Sequence, residues 1–263
     1  MKATQPAPLA GTMTITRGMQ VLRAFRSHRA TLGNAELVRV TGLPKATVSR
    51  LTGTLVQMGF LRHPPGSREF ELAAGALSIG HVFVASNDLL QAAEVCMQEL
   101  ADKLAVSVAL AVRNDLDMLY VGYRASQKVS TLRLGVGSVL PMGTTSIGHA
   151  WLWAQPREER ARHLAALKRS VGNRWATMTA GIQDSFDELD HSGTCGVLGK
   201  FQRDAFGVSL PVRVGREGTI MGLSCGKAII RPDLTSERQR IAPLLKKAAA
   251  QIEARLADMD GTP

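Results

Sequence analysis

Lys45, Thr47, Ser49 and Arg50 fall within six residues of one another, on a stretch whose apolar positions, Leu51, Leu55 and Met58, recur at helical spacing. Cations and hydroxyls on the face the apolar residues leave free suit one chemistry above others. Lys and Arg bind phosphates or guanine edges, and Ser and Thr bind phosphates or bases. They stand at the start of the helix, the end that usually enters a DNA major groove. The plain alternative is a solvated face on which Arg50 pairs with an acid such as Glu36. A second set with chemical potential is the Gly-, Ser- and Thr-rich stretch 135–148, followed by His149. Read as an enzyme, the same stretch shows no G-x-S-x-G elbow, no Walker motif and no metal-spaced His/Cys/Asp set. A catalytic reading needs a nucleophile within hydrogen-bond reach of His149. No catalytic residue, metal or cofactor is assigned.

The elements that must position these residues are readable in outline. Thr16 to Ser27 carries a helical stripe (Met19, Val21, Leu22, Phe25), with Thr16 as its expected N-cap. Asn34 is expected to cap a second helix that Gly42 ends. Pro44 opens the third at a first-turn position, and Gly59 stops it. Two short alternating segments, 60–63 and 68–72, flank Pro64-Pro65-Gly66-Ser67 and read as a β-hairpin. Three helices and a hairpin make a winged helix-turn-helix. Arg62 and Arg68 then fall on or beside the wing, and Arg17 lies next to an N-terminal arm that could reach a neighbouring groove. Ala73 to Ser86 reads as a linker helix, and Asp88 to Leu104 as a strongly amphipathic one. Ser107 to Val112 and Met118 to Tyr123 read as strands, with Thr131 to Leu134 as a third. Helices are expected from Ile147 and from Pro156, with a short one over Phe186 to Asp190. Two late strands, 207–214 and 219–225, precede a long terminal helix, Ser236 to Met259, broken or kinked near Pro243. This second region is a mixed α+β domain with a largely antiparallel sheet.

Composition narrows the partners. The chain has 263 residues, 45% apolar, and a formal charge of +10. Seven of those ten charges sit before Asn87, where ten basic residues face Glu36, Glu69 and Glu71. A basic N-terminal third favours a polyanion such as double-stranded DNA. An aromatic content of 5% leaves little for stacking on single strands. Cys96, Cys195 and Cys225 are widely spaced, which fits a reducing compartment and gives no disulfide framework or zinc site. Cys225 reads as strand core, and Cys195 falls in a loop flanked by Gly193 and Gly196, where an exposed, redox-sensitive thiol stays open as a minor alternative. No apolar run is long enough for a bilayer, and the first residues lack a signal-peptide core, so a cytoplasmic protein without a membrane partner is expected.

Three N-terminal blocks carry a resemblance: Arg17 to Leu22, Thr41 to Leu51 and Gly59-Phe60-Leu61. Three more lie in the second region: Leu140 to His149, Val208 to Val212 and Gly222 to Gly226. In this order they resemble the IclR family of bacterial transcriptional regulators, over nearly the whole chain from Thr16. The resemblance implies an α+β protein: an N-terminal winged helix-turn-helix, a linker helix and a C-terminal GAF-like effector-binding domain. The corresponding limits here are an arm at 1–13, the DNA-binding domain at 14–73, the linker at 74–88 and the effector and oligomerisation domain at 89–263. It implies homodimers or homotetramers on palindromic operators, controlled by a small carboxylate or aromatic acid. By matching position, Leu132, Leu140, Ser146, Ile147 and Ser224 would line the effector pocket. Val197 and Gly207 stand nearest to an Asp and a Cys that some members carry, and His149 where Lys or Arg is common. A DNA-binding protein without an effector, and an enzyme built on the second domain, stay open as alternatives at this point.

Overall fold

Helix α1 (Ala10–Leu22) begins six residues before Thr16, so Thr16 sits inside the helix rather than at its cap. The helix also takes in residues 10–13, expected to belong to the arm. Met13 and Ile15 extend the apolar sequence toward the N-terminus, although both side chains are exposed. The structure is a computed structural model that describes residues 10–26, 29–129 and 134–259. After α1 come β1 (Thr31–Leu32), α2 (Asn34–Thr41), α3 (Lys45–Gln57), β2 (Leu61–Arg62) and β3 (Phe70–Leu72). The N-cap of α2 is Gly33, not Asn34, whose side-chain oxygen is buried with no hydrogen-bond partner. Gly42 closes α2 at φ 69°, a left-handed conformation that glycine adopts without strain. Its N–H donates to Val38 O, and only residues 42–44 separate α2 from α3. Strands β1, β3 and β2 form a small antiparallel sheet in that order. Val21, Phe25, Leu32, Leu37, Val48, Leu51, Leu55, Leu61 and Phe70 close a core between the three helices and this wing.

Helix α4 (Ala74–Ala85) follows, and none of its residues is buried. The chain divides into two compact units, 1–83 and 84–263. The second unit opens with α5 (Asp88–Leu104), capped by the Asn87 side chain, which accepts from Leu90 N at 3.1 Å. Strands β4 (Ser107–Asn114) and β5 (Asp117–Ala125) are joined by a two-residue turn. The strand expected over Thr131 to Leu134 falls mainly outside the described residues, and Leu134 itself is not in a strand. Then come β6 (Val139–Pro141), a 3-10 turn (Met142–Thr144), α6 (Ser146–Ala154), α7 (Arg157–Val171) and α8 (Trp175–Ser192). Helix α8 corrects the short helix expected at 186–190. Its apolar positions Ile182, Phe186 and Leu189 are helically spaced, but Gly181 and polar residues between them hide the period from inspection. Strands β7 (Cys195–Leu198), β8 (Ala205–Val214) and β9 (Thr219–Ala228) precede α9 (Leu234–Leu256), which runs through Pro243 as one helix rather than breaking there.

The six strands pair antiparallel throughout, in the order β6-β5-β4-β9-β8-β7. Their alternation explains the layers. Val108, Leu110, Val208, Leu210, Val212, Leu223 and Cys225 point to one face and bury α5 and α9 against it. The opposite face carries small residues: Ala109, Ala111, Gly207, Ser209, Gly222 and Ser224. That leaves room for α6 to approach closely. A Cβ built on Gly222 would meet Ile147 Cγ1 at 2.5 Å.

Candidate functional site

Two regions gather the residues singled out by sequence. The first is the face of α3. Val48, Leu51, Thr52 and Leu55 are buried, so Lys45, Ala46, Ser49, Arg50, Gly53, Thr54 and Gln57 are left on the exposed side. Thr47 is half-buried at its edge. Ala46, Gly53, Thr54 and Gln57 do not stand out in the sequence because small or neutral residues announce no chemistry. On a helix face they permit close approach and amide contacts. Lys45 and Arg50 make no ion pair among the described residues. Glu36, the acid nearest in sequence to compete for Arg50, is held instead by Arg39 at 2.6 Å and Arg29 at 3.3 Å. The hydrogen bond from Arg39 holds its carboxyl below the usual carboxylate range. On the wing, Arg62 pairs with Glu71 at 2.7 Å, directly opposite it in the β2–β3 register, while Arg68 is exposed. Arg17 is half-buried on α1. This unit therefore presents uncompensated cations and hydroxyls on one helix face, which is chemistry for a phosphate backbone and base edges.

The second region is a cavity of about 60 Å³ on the small-residue face of the six-stranded sheet. Leu140, Ser146, Ile147 and Ser224, four of the five pocket positions expected from sequence, line it together. Leu132 lies outside the described residues. Tyr120, Tyr123, Thr144, Lys200 and Phe206 line it as well. Val197 and Gly207 are also in the wall, so the polar contacts an Asp and a Cys would make there are missing. A Cβ at Gly207 would come within 2.7 Å of Ser146 Oγ. Three hydroxyls cross the cavity's edge in a chain: Ser146 Oγ is 2.7 Å from Ser209 Oγ, which donates to Ser224 Oγ at 2.8 Å. A larger cleft of about 500 Å³ lies beyond the 3-10 turn, lined by His149, Arg174, Met178, Asp184, Ser185 and Glu188 among others.

His149 meets the distance criterion set for a catalytic reading, because Ser185 Oγ lies 2.7 Å from its Nδ1. The rest of that chemistry is not assembled. The other ring nitrogen is 3.0 Å from Gly143 O, an acceptor, so Nε2 carries the proton, and the one Ser185 proton is shared between Nδ1 and Gly181 O, which lies 3.0 Å from Ser185 Oγ. No carboxylate orients the ring among the described residues, and both side chains are 2–3% exposed. The pair ties α6, α8 and the 3-10 turn together. Burial lowers the His149 pKa below 6.5, so the folded protein keeps the ring neutral. The unfolded chain then binds one more proton as pH falls through that value, and stability drops with acidification. Thermal unfolding of the wild type is expected to lose ground between pH 7 and pH 5, and His149→Gln to flatten that slope. Equal slopes in both proteins would show that His149 charges freely in the fold.

Cys195 lies in strand β7 and is fully buried, with its thiol pushed up by desolvation, which corrects its placement in a loop and removes the alternative of an exposed thiol. Its flanking glycines allow the tight exit from α8 and contact with Leu234, not exposure. Cys225 is fully buried in β9. Among the described residues no His, Cys, Asp and Glu cluster has the arrangement of a metal site, and no helix is long and apolar enough to cross a membrane.

Comparison with known proteins bears on both regions. Residues 14–65 match the IclR helix-turn-helix domain, and residues 81–254 the bacterial transcriptional regulator IclR C-terminal domain. A regulator named TsaQ1/TsaQ2 from Comamonas testosteroni is 28% identical over 92% of this chain and 88% of its own length. The transcriptional repressor IclR of Escherichia coli is 27% identical over 72% and 74%. Among solved structures, an IclR family regulator from Brucella abortus superposes with a TM-score of 0.84 at 31% identity, covering 97% of both chains. An IclR homologue from Microbacterium hydrocarbonoxydans, solved with 4-hydroxybenzoate, shares the fold at a TM-score of 0.67 and 20% identity, over 92% of this chain and 98% of its own. With a helix-turn-helix unit and an effector-type domain each matched along its length, the chain belongs to the IclR family of bacterial transcriptional regulators.

Proposed function

We propose that the protein binds a palindromic operator as a homodimer or homotetramer in the cytoplasm, and that a small organic acid in the 60 Å³ cavity changes its affinity for that DNA. The observation that carries the DNA half is the free face of α3, where Lys45 and Arg50 stand uncompensated beside Ser49 and Thr47. Arg62 and Arg68 on the wing and Arg17 on α1 add phosphate contacts. In the second unit Leu140 and Ile147 form apolar walls, and Ser146 and Ser224 supply polar contacts. A relative of the same fold holds 4-hydroxybenzoate, an aromatic acid. The cavity is small, about 60 Å³, so a compact acid fits best. An effector acts by binding the DNA-competent and DNA-incompetent forms unequally. No chemical step is assigned, because no nucleophile, base and oxyanion donor converge among the described residues.

The test is selection of bound sequences from a random duplex library, followed by titration of the selected duplex against salt. The expected result is a palindromic consensus whose affinity falls steeply with salt, through counterion release at several cations. Absence of a consensus would contradict the reading.

Self-association has its own signal. Leu77, Ile79 and Val82 on α4 are 62–74% exposed, an apolar surface that a lone helix does not keep in water. We assign this surface to contact with a second copy. A Leu77→Lys, Val82→Asp double variant is expected to shift the mass in solution toward the monomer and to weaken operator binding more than tenfold. Light scattering at unchanged mass would remove α4 from the interface.

A further inference from the structure

The two tyrosines of the cavity occupy an unusual position in the sheet. Strict alternation would send residues 120 and 123 to opposite faces. The β4–β5 register slips between Leu110 and Ala111, so that Gly122 opposes Leu110, Tyr120 opposes Ala111, and Val121 is the extra residue of a bulge. One inserted residue reverses the phase of the strand. Val121 packs on the α5–α9 side, while Tyr120 and Tyr123 both turn to the α6 side and line the cavity, their rings stacked at 6.2 Å.

Neither phenol makes a hydrogen bond among the described residues, and that of Tyr123 is fully buried. The Tyr123 hydroxyl is buried with no hydrogen-bond partner. Tyr120 is 6% exposed, and its hydroxyl has no hydrogen bond among the described residues. Burial raises the Tyr120 pKa, so this phenol remains a proton donor. Buried polar groups without partners are rare in proteins and call for a partner supplied from elsewhere. The strand register shows where that partner would sit. Tyr123, Ala109, Ser224 and Ser209 form one row across β5, β4, β9 and β8. The Ala109 methyl is thus the floor between a phenol and the serine chain. Two strand spacings, about 10 Å between α-carbons, separate Tyr123 from Ser224. In the serine chain the Ser209 proton goes to Ser224, so Ser146 donates to Ser209. Ser146 therefore offers the cavity a lone pair and no proton. Lys200 is the cation among the lining residues, and it is exposed.

We propose that Tyr120 and Tyr123 are effector-binding residues that donate to the acid group of a compact hydroxycarboxylic acid, whose hydroxyl donates to Ser146. This rests on the assignment of the cavity as the effector site. The bulge is the device that brings both donors to one side, and the free protein bears the buried, unpartnered Tyr123 hydroxyl to keep the site selective.

The test is calorimetric titration of the full-length wild type, Tyr120→Phe, Tyr123→Phe and Ser146→Ala with matched pairs: glycolate and acetate, lactate and propionate, 3-hydroxybutyrate and butyrate. In the wild type the hydroxylated member of at least one pair is expected to bind about tenfold tighter than its partner. Each phenylalanine variant is expected to lose about tenfold toward both members. Ser146→Ala is expected to keep the affinity for the plain acid and lose the preference for the hydroxyl. Without ligand, Tyr123→Phe is expected to melt about 3 °C higher, because a buried unsatisfied hydroxyl has gone. Acid binding that the phenylalanine variants leave unchanged would overturn the role of the tyrosines while leaving the cavity as the effector site. A lowered melting temperature for Tyr123→Phe would show that its hydroxyl has a structural partner, and would also overturn it. Failure of every acid to bind the wild type at millimolar concentration would overturn the ligand class.

Discussion

A Lys45→Ala, Arg50→Ala double variant is expected to bind its operator about a hundredfold more weakly than the wild type, with its fold unchanged. Both side chains are exposed on α3, and neither makes an ion pair among the described residues, so removing them breaks no internal ion pair. The magnitude follows from the chemistry. A base-directed or phosphate-directed cation contributes about 1–3 kcal/mol, and two on one face add when they touch separate groups. The salt slope is expected to become shallower by about one for each phosphate that the variant no longer neutralises. Arg39→Ala is the internal control. Its guanidinium is already engaged by Glu36 at 2.6 Å, so its removal should alter operator affinity much less. If the double variant binds within threefold of the wild type at moderate salt, the α3 face is not the DNA surface.

The second large effect concerns the turn that shapes the cavity. Gly148→Val is expected to destabilise the C-terminal unit by about 3 kcal/mol or more, which lowers its melting temperature by roughly 6–12 °C. A Cβ at that position would lie 2.1 Å from Met142 O and 2.6 Å from Met142 Cα. Both are backbone atoms of the 3-10 turn and cannot swing aside. The helix would have to move away from the turn, and with it Ser146, Ile147 and the His149 contact to Gly143. Gly181→Ala on α8 is the matching control. No atom lies within 4 Å of its added methyl, and alanine favours a helix over glycine by about 1 kcal/mol, so equal or slightly higher stability is expected. Melting curves for the two variants separate the cases, and an unchanged curve for Gly148→Val would mean that α6 is loosely seated.

Much of the architecture is legible in residue types, and the features that are not share a cause. Gly42 and Pro44 mark the turn between α2 and α3 because only special backbone positions need them. The alternating residues of β4, β8 and β9 mark strands because one face is bulky. Four pocket positions, Leu140, Ser146, Ile147 and Ser224, converge on one cavity because they sit on a helix start and on strands that one sheet brings together. Three features escape a reading of residue types. The β5 bulge is a property of pairing, not of sequence: nothing in Met118 to Tyr123 says that Val121 is extra, so neither tyrosine stands out as a pocket residue. Strand β7 is hidden because Gly193 and Gly196 imitate a loop, while Cys195 pairs with Ser209 in the sheet. Thr16 and Asn34 are good capping residues in the wrong places. Helix α1 starts earlier, and Gly33 takes the position before α2. Local propensity proposes such caps, and tertiary packing decides whether they are used.

The central claim is that occupation of the C-terminal cavity governs DNA binding by the N-terminal unit. The most direct measurement is operator affinity by fluorescence anisotropy, with and without each acid, for the wild type and for Ala109→Leu, which pushes a larger side chain into the cavity floor. The wild type is expected to change affinity about tenfold or more with at least one acid. Ala109→Leu is expected to bind the operator within about threefold of the wild type and to ignore that acid. A variant that still responds as the wild type does would place the effector elsewhere. A wild type whose affinity no acid alters would contradict control by an acid in this cavity.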